Sequence, residues 1–214
     1  EIISDKRIFE ALKSLFHFEK FNQEVLLKKI RELLVIDSIP IKYYSIKKSN
    51  VINQFYEFLY EDIDSVDLKD LQTVFISKIN ILEDIFEKVR KKENYNRLVS
   101  ECLFWALSIF YREKGNLNIL KNDIIEIANY IDENIENYNM DRSSFAIHIK
   151  NRYENISKIF SKLYKFNFNV YLKDSSEFNE QLGKINSAHD NTKVLSFEAL
   201  RINKPEPSSI SIDD

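Results

Sequence analysis

Residues 94–115, NYNRLVSECLFWALSIFYREKG, decide the fold of this chain. Leu98, Cys102, Leu103, Trp105, Ala106, Leu107, Ile109 and Phe110 recur three and four residues apart and wrap most of the circumference, so the stretch reads as a helix with little polar surface. A helix that is apolar nearly all round belongs in the middle of a domain, and other helices must surround it. Asn94 is the expected cap, and Gly115 falls where a left-handed C-terminal cap is wanted.

Working outward, the same periodicity returns on both sides. Before the central stretch, Leu71, Val74, Phe75, Ile79, Leu82, Ile85, Phe86 and Val89 make a long unbroken stripe behind a cap at Asp67. Lys88, Arg90, Lys91 and Lys92 crowd its end, where cations oppose the negative end of the helix dipole. Earlier still, Ser4 or Asp5 opens a helix with Ile8, Phe9, Leu12, Leu15 and Phe16 inward, and Asn22 caps one carrying Val25, Leu26, Ile30, Leu33 and Leu34. Pro40 ends that helix, Ile41 to Ile46 reads as an extended connection, and Val51 to Leu59 reads as a short helix.

After the central stretch, Ile124, Ile127, Ala128, Ile131 and Ile135 predict a partner helix from about Lys121 to Asn137. Phe145, Ile149, Tyr153, Ile156, Phe160 and Leu163 predict a last long one, capped by Asp141 or Ser143 and ending near Lys165. Phe166, Phe168, Val170 and Leu172 alternate with Asn167, Asn169 and Tyr171, which predicts a strand or extended segment. The expected fold is therefore all-α: an antiparallel bundle of about seven helices over residues 1–186, with a short irregular C-terminal segment. Residues 187–214 read as linker and the start of a following domain, with the boundary between Ser187 and Lys193.

Composition narrows the function classes. Only 2 glycines and 3 prolines occur among 214 residues, and glycine supplies the positive-φ positions that phosphate loops and nucleophile elbows need. Lys and Arg number 31 against 34 Asp and Glu, a formal charge of −3, so the whole chain carries no footprint of a dedicated nucleic-acid binder. No run of 18 apolar residues occurs, which predicts no membrane span, and the single Cys102 suits a buried thiol in a reducing, cytoplasmic setting. The chain opens on Glu1 and stops at Asp214 on a strand-like pattern, and we read it as a piece of a longer protein. His17, His148 and His189 stand apart, without a second ligand at metal-binding spacing, so neither a metal nor a cofactor is expected.

Two features carry sharper expectations. The most basic stretch holds Arg142, Lys150, Arg152, Lys158, Lys162 and Lys165 with Tyr153 and Tyr164 interleaved, against only Asp141 and Glu154. Arg142, Lys150, Arg152, Lys158 and Lys162 are the candidate contacts to a nucleic-acid backbone. The second feature is Arg142-Ser-Ser-Phe-Ala-Ile-His148 at the opening of the same helix, which resembles the short motif of the HEPN superfamily of helical ribonucleases. The resemblance implies a homodimer in which Arg142 steadies the scissile phosphate and His148 handles protons around a 2′-hydroxyl, without a metal. A six-residue separation sets the two side chains about 120° apart on a regular helix, and His148 roughly 95° from the centre of the apolar stripe.

The tail Ala199-Leu-Arg-Ile-Asn-Lys-Pro-Glu-Pro-Ser-Ser-Ile-Ser-Ile-Asp-Asp214 resembles the opening of a domain in modification-dependent restriction proteins of the GmrSD type. There, such a stretch leads into a ParB-like nucleotide-hydrolysing fold. The helical body from Asn94 to Lys165 is similar in texture to the helical region that accompanies that unit. None of the family's hydrolase motif occurs in this chain, so no catalytic residue is implied. What the resemblance implies is context: a helical module beside a DNA-restriction or phage-defence domain, whose partners are neighbouring domains of the same protein, a nucleic acid, or a second copy.

Overall fold

The computed structural model describes residues 6–17, 22–36, 52, 53, 56, 68–93, 95–138 and 146–172. Six packed helices account for most of them: α1 (Lys6–Phe16), α2 (Gln23–Leu34), α3 (Leu68–Lys88), α4 (Arg97–Lys114), α5 (Lys121–Glu133) and α6 (Ala146–Tyr164). A 3₁₀ turn follows α5 at Ile135–Tyr138, and a single turn, α7 (Asn169–Leu172), follows α6. No strand occurs among the described residues. The expected caps at Ser4, Asp5, Asp67, Asp141 and Ser143, most of the Val51–Leu59 helix and the Ser187–Lys193 boundary lie outside them.

Helix α4 is the axis. Every residue from Leu98 to Phe110 except Glu101 is buried. Trp105 meets Tyr153 of α6 edge-on at 5.0 Å and Phe168 beyond α6 at 5.7 Å, while Phe104 meets Phe75 of α3 at 5.4 Å. Gly115 takes φ 69° and its N–H donates to the Tyr111 carbonyl at 2.8 Å, closing the helix in a conformation that a β-carbon would strain. The cap at the other end is Asn96 instead of Asn94: its Oδ1 accepts from the Leu98 N–H at 2.8 Å. Starting the helix two residues later leaves Tyr95 in the connection, where its ring packs 4.9 Å from Phe86.

Cross-helix contacts set the directions. Tyr130 meets the Asn155 carbonyl, Lys162 meets Glu126 and Tyr164 meets Asp123, so α5 and α6 run antiparallel. Arg90 and Lys91, just past the end of α3, bond Asp132 in the last turn of α5, which sets α3 and α5 side by side in the same sense. Trp105 with Tyr153 and Phe110 with Tyr164 set α4 and α6 in a common sense, opposite to α3 and α5. The bundle therefore has two distinct ends. One gathers the end of α3 and the starts of α4 and α6 around the end of α5; the other gathers the ends of α4 and α6 at the start of α5.

Two expectations are corrected. The partner helix stops at Glu133 instead of Asn137, and the tighter 3₁₀ turn carries Tyr138 into the interior. The alternation from Phe166 to Leu172 does not form a strand. Phe168 is buried against Trp105 and Phe160, Phe166 and Tyr171 pack beside it, and the Tyr171 and Leu172 N–H groups donate back to the Phe168 carbonyl at 3.0 and 3.3 Å. With no described strand to pair with, these backbone donors are satisfied locally in a turn.

Candidate nucleic-acid interface

The basic helix of the sequence is α6, and its stripe decides which cations reach solvent. Ile149, Tyr153, Ile156 and Phe160 face the core, and Lys150, Lys158 and Lys162 are exposed on the opposite side. Lys165 follows the last turn, exposed and at φ 52°. Lys150 pairs with Glu154 at 3.5 Å and Lys162 with Glu126 at 3.5 Å, both pairs open to water and so contributing little to stability. Lys158 and Lys165 make no ion pair among the described residues.

Arg152 does not belong to this face. It is 3% exposed, three residues after Ile149 and four before Ile156, which places it on the inward side. Its charge acts on the nearby phenol of Tyr138: burial pushes that hydroxyl well above its ordinary pKa, and Arg152 pulls the other way. Arg142 lies outside the described residues, so its distance from His148 is not defined. His148 is half-buried in the first turn of α6, a flank position and not an outward one.

Other buried polar groups escape the sequence reading, and all serve the fold. Asp132 is 3% exposed; its two carboxylate oxygens accept from the backbone N–H groups of Arg90 and Lys91 at 2.9 Å each, and the Arg90 side chain lies at 3.4 Å. Burial opposes the charged carboxylate, but these donors prevail and hold its pKa below the ordinary value. Lys91 also donates Nζ to the Asp132 carbonyl at 3.1 Å, so one of the cations crowding the end of α3 complements the C-terminus of α5. Beside them, the Tyr138 hydroxyl donates to Asn155 Oδ1 at 2.8 Å, and Asn96 Nδ2 donates to the Tyr138 carbonyl at 2.9 Å.

Lys29 of α2 is buried between two carboxylates, with Nζ 2.7 Å from both Glu32 and Glu101 and 5.3 Å from the centre of the Phe16 ring. Burial disfavours its charge, yet the two carboxylates outweigh that and raise its pKa. The signal for such residues is present in the sequence: Lys29 stands three after Leu26 and four before Leu33, the spacing that also buries Arg152.

Among the described residues, no three His, Cys, Asp or Glu groups converge as a metal site, and no helix is long and apolar enough to cross a membrane. Cys102 is a buried free thiol. No protein-family model, curated protein or solved structure matches the chain.

Proposed function

We propose that this chain is a noncatalytic helical module that contacts a nucleic-acid backbone through the outer face of α6, with Lys150, Lys158 and Lys162 as the contacting groups. The observation that carries the reading is a division of labour among polar side chains. The buried ones are engaged inside the protein: Lys29 with Glu32 and Glu101, Ser100 with the Leu15 carbonyl, Ser108 with the Phe104 carbonyl, Asp132 with the α3 end, Asn155 with Tyr138 and Ser157 with the Glu154 carbonyl. The ammonium groups of α6 face water. Mobile, solvated cations suit phosphates, whose contacts need charge and reach more than fixed geometry.

The wider context we infer is a longer cytoplasmic restriction or phage-defence protein in which this module also holds neighbouring domains. Its support is the resemblance of residues 199–214, which lie outside the described residues. The alternative is an HEPN-like homodimeric ribonuclease using Arg142 and His148.

A salt titration with labelled duplex DNA and single-stranded RNA tests the proposal. Affinity is expected to fall as salt rises, and Lys150→Gln/Lys158→Gln/Lys162→Gln to flatten that slope by about one for each phosphate no longer neutralised. No binding at low ionic strength overturns it. RNA cleavage by wild type in a chelator, absent in His148→Ala, replaces it with the ribonuclease.

A further inference from the structure

Of the aromatic and imidazole rings among the described residues, only that of His17 is exposed, and it stands where three parts of the chain meet. His17 follows the last turn of α1 at φ 48°, a left-handed conformation that glycine adopts freely and that strains a residue with a β-carbon. Neighbouring rings hold it there. The imidazole lies 6.3 Å from the ring of Tyr95 in the α3–α4 connection, tilted by 38°, and meets Phe86 of α3 edge-on at 6.5 Å. Phe86 and Tyr95 are themselves 4.9 Å apart.

The base of this cluster is fixed. Tyr95 is 1% exposed, and its hydroxyl lies 3.1 Å from Ser100 Oγ, which donates to the Leu15 carbonyl at 2.5 Å. The ring beside His17 is thereby tied to the end of α1 that carries His17. The Tyr95 N–H donates to the Lys92 carbonyl at 3.2 Å, and Lys92 Nζ reaches back to 5.3 Å from the centre of the Phe86 ring. An exposed imidazole and an ammonium group thus border the same half-buried ring. Lys92 makes no ion pair among the described residues.

This cluster is not a concentrated positive patch. Glu87 and Glu93 are exposed next to Phe86 and Lys92 in sequence, so charge alone does not favour a polyanion here. What the cluster offers is a flat π face open to water and steadied by a buried ring, with one cation across the neighbouring ring. Closing α1 does not account for it, because a glycine would do so without strain. The combination suits an unpaired nucleobase, since every base has a π face that stacks on a ring and a phosphate beside it that one cation can meet. A base inside a duplex has both faces covered, so only a single strand can use such a platform.

We infer that His17, backed by Tyr95 and flanked by Phe86, is a stacking platform for an unpaired base of a nucleic-acid strand, with Lys92 contacting an adjoining phosphate. The inference rests on the proposed function and deepens it by naming a single strand as the ligand class, a preference that the α6 lysines do not supply.

The test measures binding of labelled single-stranded RNA, single-stranded DNA and duplex DNA by fluorescence anisotropy across a salt series, with thermal melting to establish that each variant is folded. His17→Ala is expected to weaken single-strand binding about tenfold, with the salt slope and duplex binding unchanged, and His17→Phe to restore the wild-type affinity. Lys92→Gln is expected to flatten the single-strand salt slope by about 0.7, the share of one phosphate. An unchanged single-strand affinity in His17→Ala overturns the inference, as does an equal loss on strand and duplex. Failure of His17→Phe to restore what His17→Ala loses overturns it too, since a ring would then not be what binds. In each of these cases a loss in Lys150→Gln/Lys158→Gln/Lys162→Gln leaves the proposed function standing. No binding by wild type overturns both.

Discussion

The end of the bundle around Asp132 and the end around Tyr164 are built from similar residues yet are held by different forces. At the first, one buried carboxylate takes two backbone N–H groups from the α3–α4 connection, and Tyr138, Asn155 and Asn96 stitch the α5–α6 side to it. The Asp132 carboxylate and these amides are committed to the fold. At the second, aromatic rings do the holding: Phe110 against Tyr164, Phe168 against Trp105 and Phe160, Phe166 against Phe168. Exposed cations stand at both ends, Lys88, Lys92 and Arg97 at the first and Lys114, Lys121 and Lys165 at the second, so the ends differ in what closes them and not in the charge they present.

The strongest way to break this comparison is Phe168→Ala. Phe168 is 1% exposed among aromatic neighbours, so its removal should cost about 3–5 kcal/mol, read as a lower urea midpoint, equally at pH 7 and pH 4. A small loss would show that the second end is not closed by its rings.

Asp132→Ala should cost about 2–3 kcal/mol at pH 7, since it strips a charged acceptor from the Arg90 and Lys91 N–H groups. Its folded pKa is depressed, so the stabilisation is present in full above the unfolded value near 4 and is lost as pH falls through the folded pKa. Wild type and variant should therefore converge in urea denaturation between pH 5 and strong acid, while the Phe168→Ala gap stays constant. A gap independent of pH would remove electrostatics from the first end.

Tyr138→Phe sharpens the same contrast at smaller scale. It deletes only the hydrogen bond to Asn155, and about 1 kcal/mol is expected from equilibrium unfolding. Smallest of all, Lys114→Gln, Lys121→Gln and Lys165→Gln should each leave stability within about 0.5 kcal/mol. A larger effect in any of them would mean that its ammonium is part of the fold's closure.

Legibility in the sequence differs by residue. The apolar stripes, the Asn22 cap, whose Oδ1 accepts from the Val25 N–H at 2.9 Å, and the Gly115 terminus follow from local geometry, and each is where the periodicity puts it. Asn94 and Asn96 are equally good caps on paper. The choice between them falls to Asn96, whose amide also reaches the Tyr138 carbonyl 42 residues away. The residue type of Arg152 suggests water, although its spacing places it inward, and burial follows the spacing. The alternation at Phe166–Leu172 mimics a strand, but a strand needs a neighbour that sequence proximity cannot supply.

By itself, the sequence determined that the described body of this protein is helical and that α4 lies at its centre, because a 3.6-residue period and near-continuous apolarity are properties of one segment alone. Only the tertiary structure decided which polar groups are buried and which partners they meet. Asp132 meets Arg90, and Tyr164 meets Asp123, through helix directions set by packing between segments, and those distances are written in no single stretch of the chain.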